Sequence, residues 1–191
     1  MRTILPAKHV LVPEPATRVF KGEIFDVYQW EQALFDGSSA TFEMLKRPDT
    51  LQVFAIKDHK LVVLNEEQPS MGAALYGLPG GRHDQPRETE VEAAQRELKE
   101  ETGMEFRDWR LVGVNQPYAK IEWFVYYFVA TGYEKTGPVH LDAGEKIELE
   151  LLDYADVMKR AQGESARHLP LEYLARVDSI DALTDLPQFG A

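Results

Sequence analysis

The apolar and polar positions of this chain alternate with strand periodicity for about its first third and then switch to helical spacing. Residues 18–33 read as one or two strands in which Tyr28, Trp30, Gln32 and Leu34 share a face, and Phe35-Asp36-Gly37-Ser38 supplies an Asp-Gly hairpin turn into a returning strand at 41–46. Strands at 50–56 and 61–65 follow, divided by the polar turn Lys57-Asp58-His59-Lys60. Over 89–102 the period changes: Val91, Ala94, Leu98 and Thr102 form one stripe of a helix, and Glu90, Glu97, Glu100 and Glu101 lie within an adjoining arc of about 100°. Both ends of that helix are marked, by a Thr89/Glu92 capping box and by Gly103 where a left-handed C′ residue belongs. Strands at 111–114 and 121–131, a helix at 154–162 stopped by Gly163, and a further helix starting at Pro170 complete the pattern. Strands bracketing helices predict an α/β (α+β) sandwich, and no internal repeat interrupts it.

Composition narrows the classes of partner. A chain of 191 residues suits one well-buried domain with an accessory segment. Its 21 Lys and Arg against 32 Asp and Glu give a net charge of −11, and no basic run is present, which argues against nucleic acid or an anionic membrane as partner. Pro6, Pro13 and Pro15 break up the apolar residues near the N-terminus, so that stretch reads as neither a secretory signal nor a span. The longest apolar run, 123–130, falls far short of the roughly 20 residues a membrane helix needs. Without cysteine the chain has no disulfide or thiolate ligand, which is compatible with the reducing cytoplasm, its expected location.

The chemistry concentrates between Gly81 and Met104. Glu97 and Glu101 are i,i+4 neighbours and Glu100 is i+3 from Glu97, so in an isolated helix these charges repel by a few tenths of a kcal/mol per pair. A solvated acidic face is the usual fate of such glutamates. Immediately upstream, however, Leu78-Pro79-Gly80-Gly81 ends an apolar stretch in a turn where backbone can approach a ligand with no Cβ in the way. Hard divalent cations take oxygen ligands, and Mg²⁺ is usually held by a few carboxylates together with substrate phosphates. Strand, glycine turn and acidic helix together therefore point to a metal-diphosphate site.

The segment resembles the Nudix box, whose pattern is Gly, five residues, Glu, seven residues, then Arg-Glu-apolar-x-Glu-Glu-x-Gly-apolar. Gly81, Glu88, Arg96, Glu97, Leu98, Glu100, Glu101, Gly103 and Met104 fill it, with six residues rather than five between Gly81 and Glu88, and with Arg87 where the family often has Gly. The resemblance implies a Nudix fold, a mixed sheet between helices, and hydrolysis of a nucleoside diphosphate linked to another group by attack of a metal-activated water on phosphorus. It implies Glu97 and Glu101 as the main ligands of Mg²⁺ or Mn²⁺, Glu100 as their support or as the ligand of a second ion, a Gly80 carbonyl in the shell, and Arg96 orienting the glutamates. In a protein of net charge −11 the metal would also offset repulsion of a polyanionic substrate.

More weakly, residues 20–163 resemble the ADP-ribose pyrophosphatase branch of that family. An N-terminal antiparallel hairpin, Arg47-Pro48-Asp49, Glu67-Gln68-Pro69 and Gly144-Glu145-Lys146-Ile147-Glu148 carry this likeness. It implies a homodimer built through a hairpin extension at 1–48, a catalytic domain at 49–176 and a tail at 177–191, with Glu145 as a catalytic glutamate on an acidic loop. Gln68 falls in a substrate-binding stretch, but Gln68-Pro69-Ser70 lacks the Arg that many relatives carry there, a cation that Arg47 or Arg82 can replace. Tyr28 and Trp30 are candidates to stack on a nucleobase from a partner subunit, although hairpin aromatics more often pack or form dimer core, as do Tyr118 and Trp123. His83 and His168, which have no partner at ligand spacing, read as surface residues. ADP-ribose is the leading substrate and other nucleoside diphosphate sugars follow. A non-catalytic nucleotide-sugar sensor, and an interaction domain whose acidic helix faces solvent, are the readings from other classes.

Overall fold

Two tight turns set the register of the N-terminal half. The computed structural model describes residues 2–69, 72–141, 143–144 and 146–190. Strands β1 (Thr17–Lys21), β2 (Asp26–Ala33) and β3 (Ser39–Lys46) form an antiparallel meander. Its second turn is closed by Leu34 N–H donating to Ser38 O, by the Asp36 carboxylate accepting from Ser38, and by Gly37 at φ 85°. Between β4 (Asp49–Lys57) and β5 (Lys60–Glu67) the turn residues Asp58 and His59 are both left-handed, at φ 51° and 61°, the twist that lets a two-residue loop join paired strands.

After these come β6 (Leu75–Gly77), β7 (Arg82–His83), α1 (Glu90–Thr102), β8 (Met104–Asn115), β9 (Ile121–Glu122), β10 (Val125–Thr136), β11 (Lys146–Leu152), α2 (Tyr154–Ala161), β12 (Ala166–His168), α3 (Leu171–Leu174) and a 3₁₀ turn at Asp181–Asp185. Among the described residues β9 joins the meander, in the order β1-β2-β3-β9, and a mixed sheet runs β12-β6-β5-β4-β10-β8, with β11 paired to β5 and β7 to β4. At its centre β4 and β10 are parallel, from Thr50 beside Val125 to Ala55 beside Ala130.

The run at 123–130 is apolar throughout because β10 is covered on both faces. Tyr126, Phe128 and Ala130 join Leu51, Val53 and Ala55 against Ala93, Ala94 and Leu98 of α1. Val125, Tyr127 and Val129 pack on the other side with Phe54, Val157 of α2, Leu174 of α3 and Leu183 of the 3₁₀ turn. This is the expected α+β sandwich of mixed sheet between helices, with the N-terminal hairpin set beside it. Each fully buried Leu or Val adds about 1.5–3 kcal/mol over an exposed one, so the two faces together hold α1 firmly at the sheet.

The helix has the predicted caps: Thr89 and Glu92 bond reciprocally, and Gly103 sits at φ 70°. Its buried stripe differs from the expectation. Ala93 is buried where Val91 was expected, and Glu90, assigned to the open acidic arc, is buried and accepts hydrogen bonds from Thr3 N–H at 2.7 Å and Thr3 Oγ1 at 2.8 Å. The C-terminal segment places Ile180, Leu183 and Leu186 in the core, and Phe189 N–H donates to Leu111 O. Among the described residues no helix is long and apolar enough to cross a membrane.

Candidate active site

The glycine turn lies alongside β4: Val53 N–H donates to Pro79 O and Leu51 N–H to Gly81 O, both at 2.9 Å. The approach is so close that a Cβ on Gly80, at φ 147°, would stand 1.9 Å from Leu51 O. A Cβ on Gly81 would stand 2.2 Å from Glu97 Oε2, so the missing side chain is the space that the Glu97 carboxylate occupies. One helical turn on, Glu101 Oε2 accepts the Gly80 N–H at 2.7 Å. The i,i+4 spacing thus brings both glutamates against the turn.

Arg96 organises the remaining carboxylates. Its Nε and Nη2 hold both oxygens of Glu88, at 3.0 and 3.2 Å, while Nη1 reaches Glu97 Oε1 at 2.8 Å and Glu100 Oε2 at 3.0 Å. Burial disfavours its charge, but the hydrogen bonds it donates to Glu88 and Glu97 prevail and its pKa is raised. The extra residue before Glu88 leaves this fork intact. It is taken up in a loop after β7, which pairs with the start of β4, and that loop turns at Arg87 with φ 72°. His83, expected at the surface, is partly buried and its Nε2 bonds the Glu88 carbonyl at 2.7 Å.

Burial, reinforced by the charges of Glu100 and Asp84, holds the Glu97 carboxyl above its usual range despite Arg96. A cation beside it would lower the cost of that ionised carboxylate. As the side chains stand, no three carboxylates or imidazoles among the described residues converge to enclose an ion, because Arg96 lies between Glu97 and Glu100. The donor chemistry nonetheless fits a hard divalent ion: all the candidate ligands are oxygens, and the Gly81 cradle takes only a side chain as close as Glu97.

From these glutamates a cleft of about 910 Å³ opens toward Arg47, Arg82, Gln68 and Gln52, with Phe25, Tyr118, Trp123 and Tyr127 among its walls. Arg47 lies over the rings of Trp123, at 4.8 Å, and Phe25, at 5.5 Å. Burial and then the Arg82 charge push its pKa down, so two cations repel across space that suits an anion. Trp123 is fixed by its Nε1–H to Thr50 Oγ1 at 2.9 Å and stacks on Tyr118 with an interplanar angle of 18°. Gln68 donates to Glu66 at the cleft.

The structure brings together Gly80, Arg96, Glu97, Glu100, Glu101, Arg47, Arg82 and Gln68 in that one cleft. Tyr28 and Trp30 are outside its lining in this chain: Tyr28 lies under Lys46 Nζ at 6.0 Å, and Trp30 leans on Phe42. Glu145, and the Ser70 of the Gln68-Pro69-Ser70 stretch, lie outside the described residues, as does the His168 side chain. Phe25, Gln52 and Tyr127 were not singled out from sequence. Gln52 had a signal, a lone amide inside the otherwise apolar 51–56 run, and it is buried.

Both the sequence and the fold resemble known proteins. The NUDIX domain family matches residues 46–172. An ADP-ribose pyrophosphatase of Bacillus subtilis (strain 168) is 29% identical over 87 residues, 45% of this chain and 46% of the relative, so the match spans about half of that protein's length. A methanol dehydrogenase activator of Bacillus methanolicus is 25% identical over 136 residues, 69% of this chain and 72% of the relative. A crystal structure described as an ADP compounds hydrolase superposes with a TM-score of 0.70 at 22% identity, covering 89% of this chain and 95% of that one, which shows a shared fold. With its glutamates seated on the glycine turn and the family match running through most of the sheet, the chain belongs to the NUDIX family.

Proposed function

We propose that this protein hydrolyses the pyrophosphate bond of a nucleoside diphosphate sugar, with ADP-ribose, cleaved to AMP and ribose 5-phosphate, as the leading substrate. The observation that carries the reading is the cleft itself: carboxylates seated on a glycine turn at one end, and two arginines with aromatic rings along its walls. The name of the Bacillus subtilis relative supports ADP-ribose as substrate. UDP- and GDP-sugars are the next candidates.

Nudix hydrolases generally depend on a divalent metal, and Mg²⁺, with Mn²⁺ as substitute, is the ion proposed here. Glu97 and Glu101, assisted by Glu100 and the Gly80 carbonyl, would hold it. When bound, such an ion supplies an activated water and neutralises charge on the diphosphate. Arg96 keeps Glu97, Glu100 and Glu88 in register. Arg47 and Arg82 take the phosphates, since a guanidinium fork matches phosphate oxygens, and Gln68 offers its amide to the substrate. Glu145 is proposed as the base that takes the water's proton; near-normal turnover of Glu145→Gln at saturating Mg²⁺ would remove it from that role.

The proposal includes a homodimer. Val19, Phe20, Ile24 and Phe42 expose apolar surface on the meander and its turns, which supports a hairpin extension at 1–48 that meets a second copy, beside a catalytic domain at 49–176 and a tail at 177–191. In that assembly Tyr28 and Trp30 either pack the interface or reach the partner's substrate. A cytoplasmic location fits the cysteine-free composition. The test is Mg²⁺-dependent hydrolysis of ADP-ribose, UDP-glucose, GDP-mannose and a nucleoside triphosphate. Binding without turnover of any of them would make the protein a sensor.

A further inference from the structure

Three of the buried acids, Asp49, Glu90 and Glu122, find partners in the first twelve residues of the chain. Arg2 sits over the Phe124 ring at 4.8 Å, grips both Asp49 oxygens and reaches Glu122 Oε1. Glu122 accepts in addition from Val12 N–H and from Lys46 Nζ, each at 2.7 Å. Tyr126 donates its hydroxyl to Ile4 O at 2.8 Å. Farther along, the Gln116 amide clasps the backbone of Val10 from both sides, accepting its N–H at 2.7 Å and donating to its carbonyl at 2.8 Å.

These anchors stand back to back with the cleft. Successive side chains of an extended strand point to opposite faces. Asp49 therefore faces Arg2 while its neighbour Thr50 faces the cleft and bonds Trp123; Glu122 faces Arg2 while Trp123 lines the cleft. The Glu122 carbonyl also accepts the Arg47 N–H at 3.3 Å, and Gln116 precedes Pro117 and Tyr118, both cleft residues. We propose that residues 2–12 are a strap that fixes the substrate-binding wall from behind, with Arg2 and Gln116 as positioning residues for Arg47, Tyr118 and Trp123. The strap meets α1 at its first turn, through Thr3 and Glu90, and most of its other bonds run to the substrate-binding wall, so it acts chiefly on the capture of substrate.

This inference rests on the proposed hydrolase reading for its kinetic arm, and amide exchange tests it without that reading. Arg2→Ala takes the cation from the buried Asp49 and one of two cations from Glu122 and is at risk of misfolding, so Gln116→Ala, which removes two hydrogen bonds to Val10, one to the Ile121 carbonyl and no charge, is the main variant, with Val10→Pro, which spares the Ile121 bond, as its check. Tyr126→Phe, which releases the strap at Ile4 away from the wall, is the control. For Gln116→Ala and Val10→Pro, and for Arg2→Ala where it folds, exchange across 115–123 should quicken about tenfold and KM for ADP-ribose rise about tenfold with kcat nearly unchanged, while Tyr126→Phe keeps KM. Arg2→Lys, which retains a charge but not the fork, should recover part of the KM. Unchanged exchange in Gln116→Ala, or faster exchange with an unchanged KM, would overturn the proposal. Absence of turnover in the unaltered protein counts against the hydrolase reading, and exchange then decides the strap alone.

Discussion

Gly80 and Gly81 are adjacent and chemically identical, yet the structure predicts opposite failures when each becomes alanine. At Gly81 the new Cβ would meet only the end of a flexible side chain, Glu97 Oε2 at 2.2 Å, about 1.2 Å short of ordinary contact. The backbone there is not left-handed, so the helix and turn survive and the carboxylate moves away. A misplacement of about 1 Å in a catalytic constellation costs on the order of 100-fold in rate. Gly81→Ala should therefore keep its unfolding temperature within a few degrees and lose about two decades of kcat in a coupled phosphate-release assay of ADP-ribose hydrolysis. At Gly80 the Cβ would sit 1.9 Å from the Leu51 carbonyl, which is backbone, at a φ of 147°. Gly80→Ala should accordingly lose stability by roughly 1–3 kcal/mol or more, because both the β4 contact and the dihedral are disturbed. Wild-type turnover in a folded Gly81→Ala would refute the inference that this glycine exists to seat Glu97.

Arg87 stands at φ 72°, so Arg87→Gly, which relieves about 1–2 kcal/mol of left-handed strain against a smaller entropic loss, should raise the urea midpoint slightly; a lower midpoint would mean that the Arg87 side chain contributes more than its backbone costs. Burial opposes ionisation of Glu122, but its bonds from Lys46, Arg2 and Val12 outweigh this and depress its carboxyl below the ordinary 4.5. Its stabilising effect is thus complete above the unfolded value and lost as pH falls through the lower folded one, so the melting temperature should drop below about pH 4.5 less steeply in Glu122→Gln than in the parent protein; parallel curves would disprove the linkage. Light scattering should give twice the 21.8 kDa chain mass, and a monomer would remove the hairpin interface and any shared pocket.

What could be read from sequence was what neighbours in sequence determine. The α1 caps depend on residues three or four apart, and Glu97 and Glu101 meet the glycine turn because one helical turn separates them. Strands β6, β7, β9 and β12, of two or three residues each, carry no period and exist through partners distant in the chain. The edge strand β8 starts at Met104 rather than 111: Met104 and Phe106 alternate with Glu105 and Arg107, but Arg107-Asp108 breaks the period before the apolar run from Leu111, and the early half is held by pairing with the far end of β10. Glu90 fits a solvated helical face until Thr3, 87 residues away, reaches it. Phe25 and Tyr127 look like packing residues in sequence, and only the assembled sheet turns them toward the cleft beside Arg47.

The metal site is tested by hydrolysis of ADP-ribose by the unaltered protein and by Glu97→Gln, each with Mg²⁺ and with excess chelator. AMP and ribose 5-phosphate are expected from the unaltered protein with Mg²⁺ only, and a loss of orders of magnitude in a folded Glu97→Gln. Turnover that survives either the chelator or the substitution would contradict the metal site on which the reading stands.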